Sequence, residues 1–223
     1  MLQKSEDTFT VAQGNTGFFR WFGLILVGEN PVSNWLEMMT PLPSQSDMVP
    51  VLGRIDLMMM ALEERRQKHV TDDSQVHDPC LLWEAERIGL FETGPGGVPA
   101  PPYGSWWMDG QIMGDSTAEV AAFYRREGLS PEGGPADFLS TELEFLLLLI
   151  LNGQQKPNQS TTPPTGVMAR QAQFMDKFML PWVLSFCIAG KKAARTEFWW
   201  NALQALQSMF GIERNRLRQC IGV

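Results

Sequence analysis

The chain has 223 residues, 44% hydrophobic and 19% charged, with eight Trp, thirteen Phe and thirteen Met. That is enough apolar side chain to close a large core without metals or disulfides, and it excludes a disordered polypeptide. A formal net charge of −7 and a sequence pI near 4.9 speak against a nucleic-acid-binding face, because neutralising phosphates takes clustered Lys and Arg; they are compatible with a basic polypeptide partner.

Cys80, Cys187 and Cys220 are far apart and odd in number, which fits a reducing compartment better than a disulfide-stapled exterior. The opening stretch MLQKSEDTFTVAQGN has no basic start leading into an apolar export segment. The densest apolar run, Leu143–Leu151, is interrupted by Glu144 and is too short for a bilayer crossing of ~20 residues. The cytoplasm is therefore the expected location. The methionines have two readings: thioethers filling gaps between helices, or an adaptable apolar surface.

Phe18, Trp21, Phe22, Ile25 and Leu26 recur in steps of three and four, which predicts a helix ending near Gly28. Asn30–Pro31 opens a second segment carrying Trp35, Leu36 and Met39, and Pro41, Pro43 and Pro50 are expected to break the pattern. A third helix points Leu52, Ile55, Met58, Met59 and Leu62 inward, with the charged run Glu63–Lys68 as its solvated end. Pro79 suits the first turn of the next helix, continued by Leu81, Leu82, Trp83, Ala85 and Ile88. The stretch TGPGGVPAPPYGSWWMDG then rules out a long regular element, while Tyr103, Trp106 and Trp107 give it groups to pack or to present.

Helical order resumes at Ser116–Thr117–Ala118–Glu119, which reads as a capping box, with Val120, Phe123 and Tyr124 as the buried stripe. Asp137 or Ser140 is expected to cap the following helix, apolar on nearly all faces after Phe145 and therefore central. NGQQKPNQSTTPPTG, residues 152–166, is the clearest linker. It divides the chain into an N-terminal and central helical region (1–151) and a C-terminal helical region (167–223), expected to pack into one fold. Phe174, Phe178, Trp182 and Phe186 repeat every four residues, with Pro181 set to kink or reset that helix, and Trp199, Leu203, Leu206 and Phe210 mark the last one. No stretch alternates as a sheet strand would. The fold class is all-α, a multi-helix bundle with long connecting loops.

Catalytic patterns are sparse. His69 and His77 are the two imidazoles, and both read better as polar surface groups than as catalysts. His77–Asp78–Pro79–Cys80 supplies fewer protein ligands than a structural zinc site uses. Glu142 and Glu144 lie about 200° apart around a helix and form no carboxylate pair; Asp137 and Glu142 read as capping and polar-face groups, or as contacts for a peptide. GPGG at Gly94–Gly97 lacks the strand-before, helix-after setting of a dinucleotide loop. No cofactor and no metal is expected, and the chain does not read as an enzyme.

Three stretches carry a family resemblance. The first is LLWEAERIGLF at Leu81–Phe91, followed by Val98–Pro99 and Pro101–Pro102–Tyr103–Gly104–Ser105. The second runs from Ser116–Thr117 through Val120, Phe123–Tyr124 and Gly128 to Pro135–Ala136–Asp137–Phe138 and Glu142–Leu143–Glu144–Phe145. The third is Gln173–Phe174 through Leu180–Pro181–Trp182 to Phe186. In order and spacing these resemble the TorD/DmsD family of cytoplasmic redox-enzyme maturation chaperones.

That resemblance implies an all-helical chaperone that binds the precursor of a molybdenum-containing oxidoreductase, through its twin-arginine signal peptide, its body or both, and delays export until cofactor insertion and folding. The molybdenum cofactor would be the client's. Two departures stand out: the family's Asp-His pair is Asp137–Phe138 here, and its Tyr-Glu-Ser loop is Tyr103–Gly104–Ser105. The implied peptide-binding residues are Asp137, with Glu142 and Glu84, for the arginines, and Tyr103, Trp107, Phe138 and Trp83 for the apolar part. The alternative is a helical assembly factor that does not read the signal peptide, and a small-molecule enzyme is weaker still. A homo-oligomer stays open.

Overall fold

A computed structural model describes residues 16–38, 49–69, 79–131, 133–153 and 164–221. The readings at Met39, Pro41, Pro43, His77 and Asp78, and most of the linker 152–166, lie outside these residues.

The first aromatic stripe makes α1 (16–26), with Phe18, Trp21, Phe22, Ile25 and Leu26 all buried. Gly28 takes a φ of +90° that lets the chain turn there. Asn30 then caps α2 (Pro31–Met38): its Oδ1 accepts from Val32 N at 3.0 Å and Ser33 N at 3.2 Å, and Pro31 fills the first helical position, where no N–H is needed. Pro50 does not break the pattern as expected. It stands in the first turn of α3 (Val49–His69), where proline is tolerated for the same reason. The Trp35 indole N–H donates to Asp56 Oδ1 at 2.9 Å, fastening α2 to α3.

α4 (Pro79–Phe91) starts at its proline, and the Gly/Pro stretch after it leads into a short helix, α5 (Gly104–Asp109), ended by Gly110 at a φ of +76°. The capping box at Ser116 does not form. α6 (Asp115–Arg126) has Gly114 at its cap position, and the Ser116 amide in its first turn is met by Asp109 from the end of α5. Ser116 N donates to Asp109 Oδ2 at 2.9 Å and Ser116 Oγ to Asp109 Oδ1 at 2.8 Å. Glu119 pairs instead with Lys177, at 2.8 Å. Gly114 is required here, since a Cβ would fall 2.8 Å from Asp109 Cβ.

α7 (Leu139–Gly153) is central, as its composition implies, with Leu143, Phe145, Leu146, Leu147, Leu149 and Ile150 buried. Neither expected cap serves it. The Ser140 hydroxyl donates to Gly23 O on α1, and Asp137 is turned toward α5. α8 (Pro164–Phe174) runs through a wide π turn (Met175–Met179) into α9 (Leu180–Ala193), and α10 (Glu197–Ile221) closes the bundle. A repeat of four drifts by about 40° per step on an α-helix. The π turn, where Leu180 N–H reaches back five residues to Met175 O, absorbs that drift and seats Pro181 in the first turn of α9. All four aromatics, Phe174, Phe178, Trp182 and Phe186, consequently stay buried.

α10 packs against α3, α4, α8 and α9, and α7 packs on α8. Two aromatic clusters fill the interior. Trp21, Trp35, Trp83 and Phe198 join α1, α2, α4 and α10, with Trp83 stacked on Phe198 at 4.0 Å. Phe123, Tyr124, Phe145, Phe174 and Phe178 join α6, α7, α8 and the π turn. Among the described residues there is no strand, and no helix is long and apolar enough to cross a membrane. The isolated antiparallel bridge Tyr103–Phe138 is taken up below.

The observed cap makes a distinction. We expect Asp109→Ala to lower unfolding free energy by about 1 kcal/mol, the usual loss for a helix cap, and Glu119→Gln, at an exposed ion pair, to leave urea denaturation almost unmoved. The reverse ranking would restore the capping box.

Candidate functional site

Five of the seven residues singled out from the sequence converge where the loop before α5 meets the loop before α7. Leu139 N donates to Pro102 O at 2.9 Å and Gly104 N to Asp137 O at 2.9 Å, so the two loops run against each other. The bridge at Tyr103–Phe138 brings those rings to 5.3 Å, and both are half-buried. Trp107 sits one turn along α5, its indole N–H donating to Pro101 O at 2.8 Å. Beneath this aromatic cover lie Asp137 and Glu142, both 0% exposed.

The two acids are unequally served. Asp137 Oδ2 accepts the Ser105 amide at 2.7 Å, whereas Asp137 Oδ1 and both oxygens of Glu142 accept no hydrogen bond from the protein. The Trp182 indole N–H lies near enough to Glu142 to favour its charged form, yet falls outside hydrogen-bond geometry and does not satisfy the carboxyl. Burial, and then the neighbouring Asp137, push the Glu142 carboxyl well above the usual range. Tyr124, whose hydroxyl donates to Ala136 O at 3.0 Å, is likewise pushed up by burial, and then by Glu142 and Asp137. The Tyr103 phenol is raised by burial, then by Glu92 and Asp137.

The second departure from the resembled family has a steric basis. A side chain at Gly104 would begin 3.0 Å from the Trp182 indole nitrogen, so any residue larger than glycine there requires Trp182 to give way by a few tenths of an ångström. The first departure changes the cover. Phe138 packs on Tyr103 where an imidazole would offer a polar, titratable edge.

Trp83 and Glu84 do not join the site. Trp83 is 7% exposed, stacked on Phe198, and its carbonyl accepts the Trp199 indole N–H at 2.8 Å. Glu84 is already paired, at 2.7 Å, with Arg87, which also reaches Glu92 and Leu26 O. Ser105, Tyr124 and Trp182 are the residues that sequence reasoning did not assign to the site. All three stood within the resembling stretches, but their spacing carries no sign that they meet the acids.

Little here suits covalent chemistry. The buried Cys187 thiol is pushed up to about 12 by burial, which leaves it unreactive. Among the described residues no three His, Cys, Asp or Glu side chains gather as a metal would need.

Two loops thus close aromatic side chains over a buried acid pair within an all-helical bundle. The chain belongs to the nitrate reductase delta subunit family, which it matches over residues 61–188. A crystal structure provisionally named as a redox enzyme maturation protein from Archaeoglobus fulgidus shares the fold. Its TM-score is 0.50 at 19% identity, over 88% of this chain and 92% of that one. No curated protein matches the sequence.

Because the folded state holds a proton on Glu142 that an ordinary carboxyl releases near pH 4.5, stability from the neutral carboxyl is full below that pH. It is lost as pH rises toward the elevated folded-state value. Glu142→Gln removes this ionisation. Its denaturation midpoint should exceed the parent's at neutral pH, and the gap should close near pH 4.5; a gap independent of pH would contradict the buried, proton-bearing carboxyl.

Proposed function

We propose that this protein is a maturation chaperone that binds the twin-arginine signal peptide of a molybdenum-containing oxidoreductase precursor in the cytoplasm. By holding the leader it delays export until the client has folded around its cofactor. Membership of the delta subunit family and the fold shared with a redox enzyme maturation protein support the general role. The observation that carries the finer reading is the buried acid pair, three of whose four carboxylate oxygens accept no hydrogen bond from the protein. A guanidinium, with five donors in a planar fork, is the side chain best shaped to satisfy them.

As folded, the pair is covered, so binding begins with displacement of the cover. The Ser105 amide occupies one oxygen of Asp137, and an arriving guanidinium competes for it, loosening the start of α5. Tyr103, Phe138 and Trp107 then turn their rings to the apolar part of the leader. Glu84, paired with Arg87, and Trp83, enclosed by Phe198, act as supports of the neighbouring wall. On this reading 1–151 and 167–223 work as one unit, with 152–166 as a connecting segment.

The closed state of the pair also favours a second reading, in which a surface of the bundle recognises the folded client or another assembly factor without reading the leader. Binding of the isolated leader, compared with that of the client lacking it, separates the two. For the first reading, fluorescence anisotropy with a labelled twin-arginine peptide should show weaker binding for the Arg-to-Lys peptide and for Asp137→Asn, each by about tenfold. Unchanged affinity in both comparisons sinks it. A guanidinium also favours the ionised form of Glu142, so binding expels its proton and leader affinity should rise with pH up to the carboxyl's elevated value. A flat profile, or one unaltered by Glu142→Gln, would remove Glu142 from the contact.

A further inference from the structure

A cleft apart from the acid pair opens between α3 and α10, which pack against each other. Its volume of about 520 Å³ is in the range of clefts that hold small molecules. Each helix lines it with residues at i, i+3 and i+4: Arg54, Leu57 and Met58 from α3, and Glu197, Trp200 and Asn201 from α10. That spacing sets three side chains on one face of a helix, so two such faces make the walls. Leu57 and Trp200 are exposed and Met58 is partly buried, which gives the cleft an apolar surface within reach of a ligand.

Three polar groups in this lining have capacity to spare. Arg54 and Glu197 carry opposite charges, yet among the described residues neither forms an ion pair, with the other or elsewhere. They line one cleft and stand too far apart to neutralise each other. Asn201 is 6% exposed, and its Nδ2 donates to Glu197 O at 2.8 Å. A carbonyl only accepts, so the amide nitrogen is fixed at that bond and Oδ1 is the atom left over. Asn201 Oδ1 is buried and accepts no hydrogen bond from the protein. An unserved buried acceptor is unfavourable, so a donor supplied from outside is favoured at this point.

The two charges exclude an occupant of one sign, since an anion would meet Glu197 and a cation would meet Arg54. A molecule that carries both charges and an apolar group uses all six lining residues. We infer that this cleft binds a free α-amino acid with a large apolar side chain. The ligand carboxylate pairs with Arg54, whose planar fork of donors matches it. The ligand ammonium, with three donors, lies between the Glu197 carboxylate and Asn201 Oδ1, one turn apart on α10. Leu57, Met58 and the Trp200 ring cover the side chain. A residue inside a polypeptide lacks both free charges and would leave Arg54 and Glu197 unmatched. The site needs nothing from the acid pair, so it goes beyond the leader-binding role and stands apart from it.

The test is calorimetric titration of the full chain with L-phenylalanine and with four analogues. L-Phenylalanine should bind with a Kd of about a millimolar or below. Phenylalaninamide, which lacks the carboxylate, N-acetyl-phenylalanine, which lacks the ammonium, and L-alanine, which lacks the large side chain, should each bind about fivefold more weakly or worse. Arg54→Gln should weaken L-phenylalanine by a similar factor and leave phenylalaninamide as it was, because that analogue has no carboxylate to lose. Glu197→Gln should do the same for L-phenylalanine and spare N-acetyl-phenylalanine. Both side chains are exposed, so neither loss reflects a failure to fold. No binding of L-phenylalanine, or unchanged affinity in either variant, overturns the site. N-acetyl-phenylalaninamide, which resembles a residue within a chain, is the fourth analogue; binding as tight as that of the free amino acid would make the occupant a polypeptide segment and overturn the proposal as well.

Discussion

Asp137 is the joint on which the candidate site depends. Its carbonyl accepts the Gly104 amide and its carboxylate accepts the Ser105 amide, so one residue holds both amides at the start of α5. Ser105 passes the restraint on, because its hydroxyl accepts the Met113 amide in the turn where Met113 takes a φ of +60°. Asp109, at the other end of α5, then caps α6. A single acid thus fixes the loop, the short helix and the entry to α6, which accounts for its complete burial on grounds of architecture.

Burying a second acid beside it is unfavourable in isolation, since each unpaired polar atom loses its hydration. The protein offsets this by holding Glu142 neutral and by surrounding the pair with large apolar surface. Tyr124 contacts Phe145 at 4.5 Å, Phe145 contacts Phe174 at 4.7 Å, and Trp182 closes the far side. Fully burying one such ring contributes about 1.5–3 kcal/mol, so a few of them outweigh an under-served carboxyl. Replacing a polar edge by Phe138 in the cover continues the same logic, keeping water from a pair that would ionise if wetted.

The charges around α4 are tied into the fold. Glu84 and Glu92 flank Arg87 on the side of α4 near α1, and Tyr103 senses Glu92 and Asp137. The outer face of α4 borders a cleft lined by both Arg195 and the Glu86 carboxylate, which accepts the Thr196 amide at 3.1 Å.

The sequence by itself determined the helices that rest on periodicity. The stripes at Phe18–Leu26, Leu52–Leu62 and Trp199–Phe210 are buried where three- and four-residue spacing placed them, since that spacing is a property of the helix alone, whereas the four-residue repeat Phe174–Phe186 stays buried through the π turn. Local chemistry likewise settled Pro79 as a helix start and Gly28 as a turn. The tertiary structure decided what acts across distance in the chain. The cap of α6 came from Asp109 and not from Ser116, Asp137 turned to Ser105 and not to α7, and Trp83 went into the core. A side chain's partner depends on which elements pack together, and a polar residue near a helix start satisfies equally well, on paper, an amide in its own helix or one thirty residues away.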